Sequence, residues 1–149
     1  MKVLLCIFCV LSFCSGYAQN KIFYSSDDVM NTVEETHSID KVRIPWGRLG
    51  KSILVKYADG CEASFGKKEI WGFEKDGRKL RLYEGEIFEI VDSGAIVLYK
   101  TFSPHPVYYF SEDFNANVVL LATGKLKKVL NDRKLVEAYK QFKIIREIL

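Results

Sequence analysis

Four short glycine turns divide the middle of this chain and leave it little choice of fold. Asp59-Gly60, Asp76-Gly77, Glu84-Gly85 and Ser93-Gly94 each stand between short apolar runs. Asp-Gly suits a two-residue hairpin turn, because both central residues of a type I′ turn need positive φ. The flanking runs are rich in Ile, Val, Tyr, Phe and Trp, which favour strands. Strands are predicted near Ser52–Tyr57, Cys61–Phe65, Ile70–Glu74, Lys79–Tyr83, Ile87–Val91, Ala95–Phe102 and Val107–Phe110. Connections this short make neighbouring strands antiparallel. The expected fold is mainly β (α+β). It is an antiparallel β-meander, an open curved sheet or a small partly closed barrel, with a C-terminal amphipathic helix.

The pattern within the runs adds detail. Leu80 and Leu82 alternate with Lys79, Arg81 and Tyr83, which predicts one buried and one wet face. Ala95 to Tyr99 is apolar on both faces, as in a central strand or one covered by a helix. Lys21–Ser25 is a further candidate strand, and Asp27-Asp28 resembles a turn or helix start. Pro45-Trp46-Gly47 reads as a loop, and Pro104-His105-Pro106 as a stiff connector between strands. The period then changes. In Arg133–Leu149, Leu135, Ala138, Tyr139, Phe142, Ile145 and Leu149 recur at three- and four-residue steps. A helix over 133–149 is predicted to pack this stripe on the sheet, with Asn131 or Asp132 as its N-cap and a shorter helical turn over Lys125–Leu130.

The first residues carry an address. Met1-Lys2 is basic, Val3 to Phe13 is apolar, and Ser15-Gly16-Tyr17-Ala18 precedes Gln19. That order is a secretory signal peptide, residues 1–18, with cleavage expected after Ala18. The apolar run is far shorter than the roughly 20 residues a membrane span needs. Leu11-Ser12-Phe13-Cys14 allows an alternative cut before a lipid-modified Cys14, although Phe13 is bulky for that site. Export leaves a single domain, 19–149, located in the periplasm, the envelope or outside the cell. Cys6, Cys9 and Cys14 leave with the signal, so Cys61 remains alone and no internal disulfide is expected.

Charge excludes little. The chain is nearly balanced, at +3, although eight Lys or Arg stand against three Asp or Glu from Lys125 onward. No nucleic-acid partner is expected from so small an excess. A basic helix bearing Arg133, Lys134, Lys140 and Lys143, with Ile144 and Ile148 off the main stripe, is a candidate contact for an anionic membrane surface or an envelope protein.

Candidate chemistry is sparse. Cys61 with His105 or His37 as base would make a thiol nucleophile, but no cysteine-protease signature surrounds it. Two of Glu62, Glu69, Glu84, Glu86 and Glu89 would serve a glycosidase if their carboxyls converged. Asp27, Asp28, Glu34 and Glu35 form an acidic cluster with the His37 imidazole, without a zinc or calcium spacing. No phosphate loop, dinucleotide fingerprint or nucleophile elbow is present, so no cofactor, metal or catalytic residue is assigned. The aromatic set Trp46, Trp71, Phe73, Tyr83, Phe88, Tyr99, Tyr108, Tyr109 and Phe110 fills a core or lines a ligand cavity.

Ile70-Trp71-Gly72-Phe73, the run Asp76 to Tyr83 and Tyr99 together resemble a group of uncharacterised exported proteins of Bacteroidetes-type bacteria. In that group an aromatic-Gly-aromatic strand is followed by an Asp-Gly turn and a strand containing Arg. The resemblance implies a Gram-negative envelope or extracellular location, and no activity. The leading expectation is an exported, non-enzymatic binding or interaction domain. The alternatives are a lipocalin-like carrier of a small apolar ligand, and a hydrolase using Cys61 or a glutamate pair.

Overall fold

The structure, a computed structural model, describes residues 20–31, 38–44 and 52–142. The chain forms β1 (Lys21–Phe23), α1 (Asp27–Met30), β2 (Ile39–Arg43), β3 (Ser52–Tyr57), β4 (Glu62–Gly66), β5 (Gly72–Lys75), β6 (Arg78–Tyr83) and β7 (Glu86–Ser93). There follow β8 (Val97–Thr101), β9 (Tyr108–Ser111), β10 (Val119–Leu120), α2 (Thr123–Val129) and α3 (Asp132–Gln141). The expected antiparallel meander is present, but in two sheets and not closed. Seven strands run in the order β1-β5-β6-β7-β8-β9-β10, and β2-β3-β4 form a separate sheet. The chain changes layer between β4 and β5. There Glu69 accepts a hydrogen bond from the Gly66 N–H at 2.7 Å, and Ile70 plugs into the core.

Turn chemistry sets the register of the central strands. Asp76 and Gly77 have φ of 52° and 74°, and Glu84 and Gly85 have 50° and 81°, the paired positive values of a type I′ turn. Ser93-Gly94 does not follow that expectation. Gly94 has no positive φ, and its value lies in close approach. A Cβ there would meet Gln141 Nε2 at 2.3 Å, and Gln141 Oε1 accepts the Ala95 N–H at 2.7 Å.

The register also assigns the faces. Leu80 pairs with Glu89, and Glu89 with Lys100. Leu98 stands two residues from Lys100, so it shares a face with Leu80. On this face the small sheet covers one half, packing Ile39, Val42, Ile53 and Val55 on Ile22, Phe73, Leu80 and Leu82. The helices cover the other half, packing Leu126, Leu130, Leu135, Ala138 and Phe142 on Ile96, Leu98 and Phe110. Each fully buried Leu, Ile or Phe contributes about 2 kcal/mol relative to exposure. Between the two halves, Glu89 and Lys100 form an ion pair at 3.2 Å.

Asn131 is the α3 N-cap, accepting the Lys134 N–H at 2.9 Å as expected. The helix ends earlier than predicted. Phe142 is extended, at φ −114° and ψ 117°, which excludes one continuous helix over 133–149. Leaving the helix at this point lets the Phe142 ring enter the core. Lys143, Ile144, Ile145, Ile148 and Leu149 lie outside the described residues, as do the signal segment with Cys14 and Ala18, Glu34, Glu35, His37 and Pro45-Trp46-Gly47.

Candidate functional site

The other face of the large sheet holds the most unusual group. Arg81 was expected on a wet face, yet it is only 3% exposed. Leu80 and Leu82 are buried too, on the opposite face, so the strand has no wet face at this point. The side expected to be wet is instead covered by segment 112–118, which crosses it between β9 and β10. Its Ala116 carbonyl accepts Arg81 Nη2 at 2.9 Å. Phe114 packs edge-on against Trp71 at 5.9 Å, and Asn115 Oδ1 accepts the Ser26 hydroxyl at 2.6 Å.

The guanidinium sits in a ring of π faces. Its Cζ lies 5.1 Å from the Trp71 ring, 5.2 Å from Tyr83 and 5.5 Å from Tyr99. Nη1 donates to Tyr99 Oη at 2.7 Å and to Ser111 Oγ at 3.4 Å. Ser111 spends its single proton on the Asp113 carbonyl at 2.6 Å. Tyr99 must therefore be the donor in the 2.8 Å Tyr99–Ser111 bond. Burial raises the Tyr99 pKa, opposed by the Ser111 hydrogen bond and the Arg81 charge.

Two features of Arg81 stand out. Its Nε is buried without a hydrogen-bond partner. Glu89–Lys100, Arg133–Glu137 and Lys134–Glu112 form ion pairs, and Arg81 takes part in none of them. A buried cation normally takes a carboxylate partner, because desolvation costs several kcal/mol per ion. Here carbonyls, hydroxyls and aromatic faces stand in for one. Gly72 is directly opposite Arg81 in the ladder, so no side chain competes for that surface. Trp71-Gly72 beside a mid-strand arginine was the sequence signal available, whereas the alternation with Leu80 and Leu82 pointed the residue outward.

The second feature is an open groove of about 670 Å³. It runs along β6, from Lys75, Asp76 and Arg78 at one turn to Glu84, Gly85 and Glu86 at the other. Ile44, Ile87, Phe102 and Tyr109 supply apolar lining. Arg78 lies over the Phe102 ring at 5.9 Å, and Lys67 donates to the Gly85 carbonyl at 2.9 Å. Phe88 belongs to both features, lining the groove and packing on Tyr99 at 6.3 Å.

The remaining candidates are dispersed. Cys61 is exposed. Its thiol pKa is raised by a hydrogen bond to Asp59 and by that carboxylate's charge, the opposite of nucleophile activation. His105 is exposed in the β8–β9 connector. Glu62 is exposed, Glu69 binds the Gly66 amide and Glu89 pairs with Lys100. Only Glu84 and Glu86 share the groove. Asp28 accepts the Tyr24 and Ser25 amides, which precede α1. Among the described residues no group of three His, Cys, Asp or Glu converges on a metal-sized site, and no helix is long and apolar enough to cross a membrane. The aromatic set divides as well. Phe73, Tyr99 and Phe110 are fully buried, whereas Tyr83, Tyr108 and Tyr109 are half-buried. Compared with protein-family models, curated proteins and solved structures, the chain matches none.

Proposed function

We propose that this chain is an exported binding protein of the periplasm, envelope or extracellular space. Its ligand is an elongated small molecule with an apolar body and a polar group at each end. The groove along β6 carries this reading. Its volume falls within the range of roughly 300–1,000 Å³ typical of small-molecule sites. Its lining includes Ile44, Ile87, Phe102 and Tyr109, with Lys75, Asp76 and Arg78 at one end and Lys67, Glu84 and Glu86 at the other, so each end is polar and charged. Export rests on the Met1–Ala18 pattern. The carrier alternative has less support, because one face of the large sheet is filled by the packed core and the other by Arg81 and its aromatic rings.

The test uses a fluorescent amphipathic anion, 8-anilinonaphthalene-1-sulfonate. The wild type is expected to bind it saturably. Phe102→Ala and Arg78→Ala, both at exposed lining positions, are expected to weaken binding at least about five-fold, as for loss of an apolar contact or a charge-assisted one. Non-saturable binding, or binding indifferent to both substitutions, would count against the groove.

A further inference from the structure

The hydrogen bonding of Arg81 is incomplete in a particular way. A guanidinium presents two forked edges, and the Nε–Nη2 edge matches the two oxygens of a carboxylate. In this protein the Nη1 side is engaged by Tyr99 and Ser111. On the Nε–Nη2 edge, the single oxygen of Ala116 takes Nη2, and Nε has none. One carbonyl thus does half the work that a carboxylate would do.

That carbonyl belongs to an irregular segment held at separate points. Residues 112–118 form no helix or strand. They are held by the Arg81 bond, the Ser111–Asp113 bond, the Ser26–Asn115 bond, the Lys134–Glu112 ion pair at one end, and the packing of Phe114 and Val118 on the aromatic face. Beneath and beside them lie Trp71, Tyr83, Phe88 and Tyr99, apolar surfaces that suit a flat apolar body. We propose that the Nε–Nη2 edge of Arg81 is a carboxylate-binding site, which segment 112–118 now occupies. An organic carboxylate with an aromatic body binds there by displacing the Ala116 carbonyl and supplying a second oxygen to Nε. The segment and the ligand compete for one edge, so loosening the segment tightens the ligand. This site shares Phe88 with the groove but lies at Arg81, outside the groove's lining, and does not depend on a ligand bound there.

Benzoate is the probe, titrated at constant ionic strength. Trp71 is the reporter, in full-length mature protein carrying Trp46→Phe so that it is the only indole. A saturable change in Trp71 emission is expected, together with faster amide exchange over 112–118 on binding. Arg81→Gln abolishes it, since an amide cannot supply the charged fork. Asn115→Ala, at an exposed position that touches Ser26 and not Arg81, tightens benzoate about five-fold by removing one anchoring hydrogen bond. The idea is overturned by a non-saturable response, by equal binding to Arg81→Gln, or by unchanged or weaker binding to Asn115→Ala. The last variant keeps the proposal open to refutation even if Arg81→Gln does not fold.

Discussion

Replacing Gly72 by alanine should cost more than almost any other single methyl added to this protein. Gly72 pairs with Arg81 across β5 and β6. A Cβ built there stands 2.2 Å from the Leu80 carbonyl oxygen and 3.3 Å from Arg81 Cα. Real Cβ contacts essentially never fall below 3.0 Å, so β5 must retreat by about 1 Å. The obstacle is backbone and no side chain can swing away. The cost therefore belongs at the upper end of overpacking, about 3 kcal/mol, or more than about a hundredfold in the folding equilibrium. The same retreat pulls on the Leu82 N–H bond to the Trp71 carbonyl, 2.9 Å, and so loosens the indole from Arg81. With a urea m-value of about 1.5 kcal/mol/M, the unfolding midpoint falls by about 2 M. Urea unfolding followed by tryptophan fluorescence checks this. A Gly72→Ala midpoint within about 0.3 M of the wild type would refute the close approach and the argument for why glycine stands opposite Arg81.

The control is another glycine. Gly124 lies in α2 with nothing within 4 Å of a built Cβ, so Gly124→Ala should stabilise by about 0.5–1 kcal/mol in the same titration. Asn131→Ala removes the α3 cap and should destabilise by about 1 kcal/mol, with lower helicity by circular dichroism. Tyr99 has a folded pKa raised by burial. Stability from its protonated form is intact below the unfolded value of about 10 and is lost as pH rises through the folded value. Tyr99→Phe should flatten that alkaline loss, measured as urea midpoints on either side of pH ~10. In protein beginning at Gln19, Cys61 is the only thiol. Asp59→Asn should lower its pKa toward the usual value and speed its reaction with a thiol reagent at mildly alkaline pH.

The sequence carried the local structure well, because each local signal had a local cause. The β3 strand over Ser52–Tyr57 matches its predicted bounds. The Asp76-Gly77 and Glu84-Gly85 turns adopt the predicted backbone, and Leu135 and Ala138 face the core. What was hidden depends on contacts distant in the chain. β2 escaped notice because a bulge between Ile39 and Lys41 breaks its alternation. The division into two sheets depends on where the chain turns at Ile70, and pairing statistics do not encode that. Arg81 was misplaced because alternation reveals which residues share a face, while water access depends on what later covers it. Here the cover is segment 112–118, some thirty residues downstream. The groove was likewise invisible, since its lining comes from Ile44, Lys67 and the strands β5 to β9 with their loops, with no spacing in common.

The central claim is that Arg81 is a caged cation, held by π faces and oxygens without a carboxylate partner. Nuclear magnetic resonance of the arginine side-chain N–H groups tests it most directly. The account predicts one guanidinium whose Nε–H exchanges slowly with solvent and whose Nη1 and Nη2 protons are resolved. Their shifts should be displaced by the Trp71, Tyr83 and Tyr99 ring currents, and perturbed by Tyr99→Phe. A set of arginines all showing averaged, rapidly exchanging guanidinium protons would contradict it.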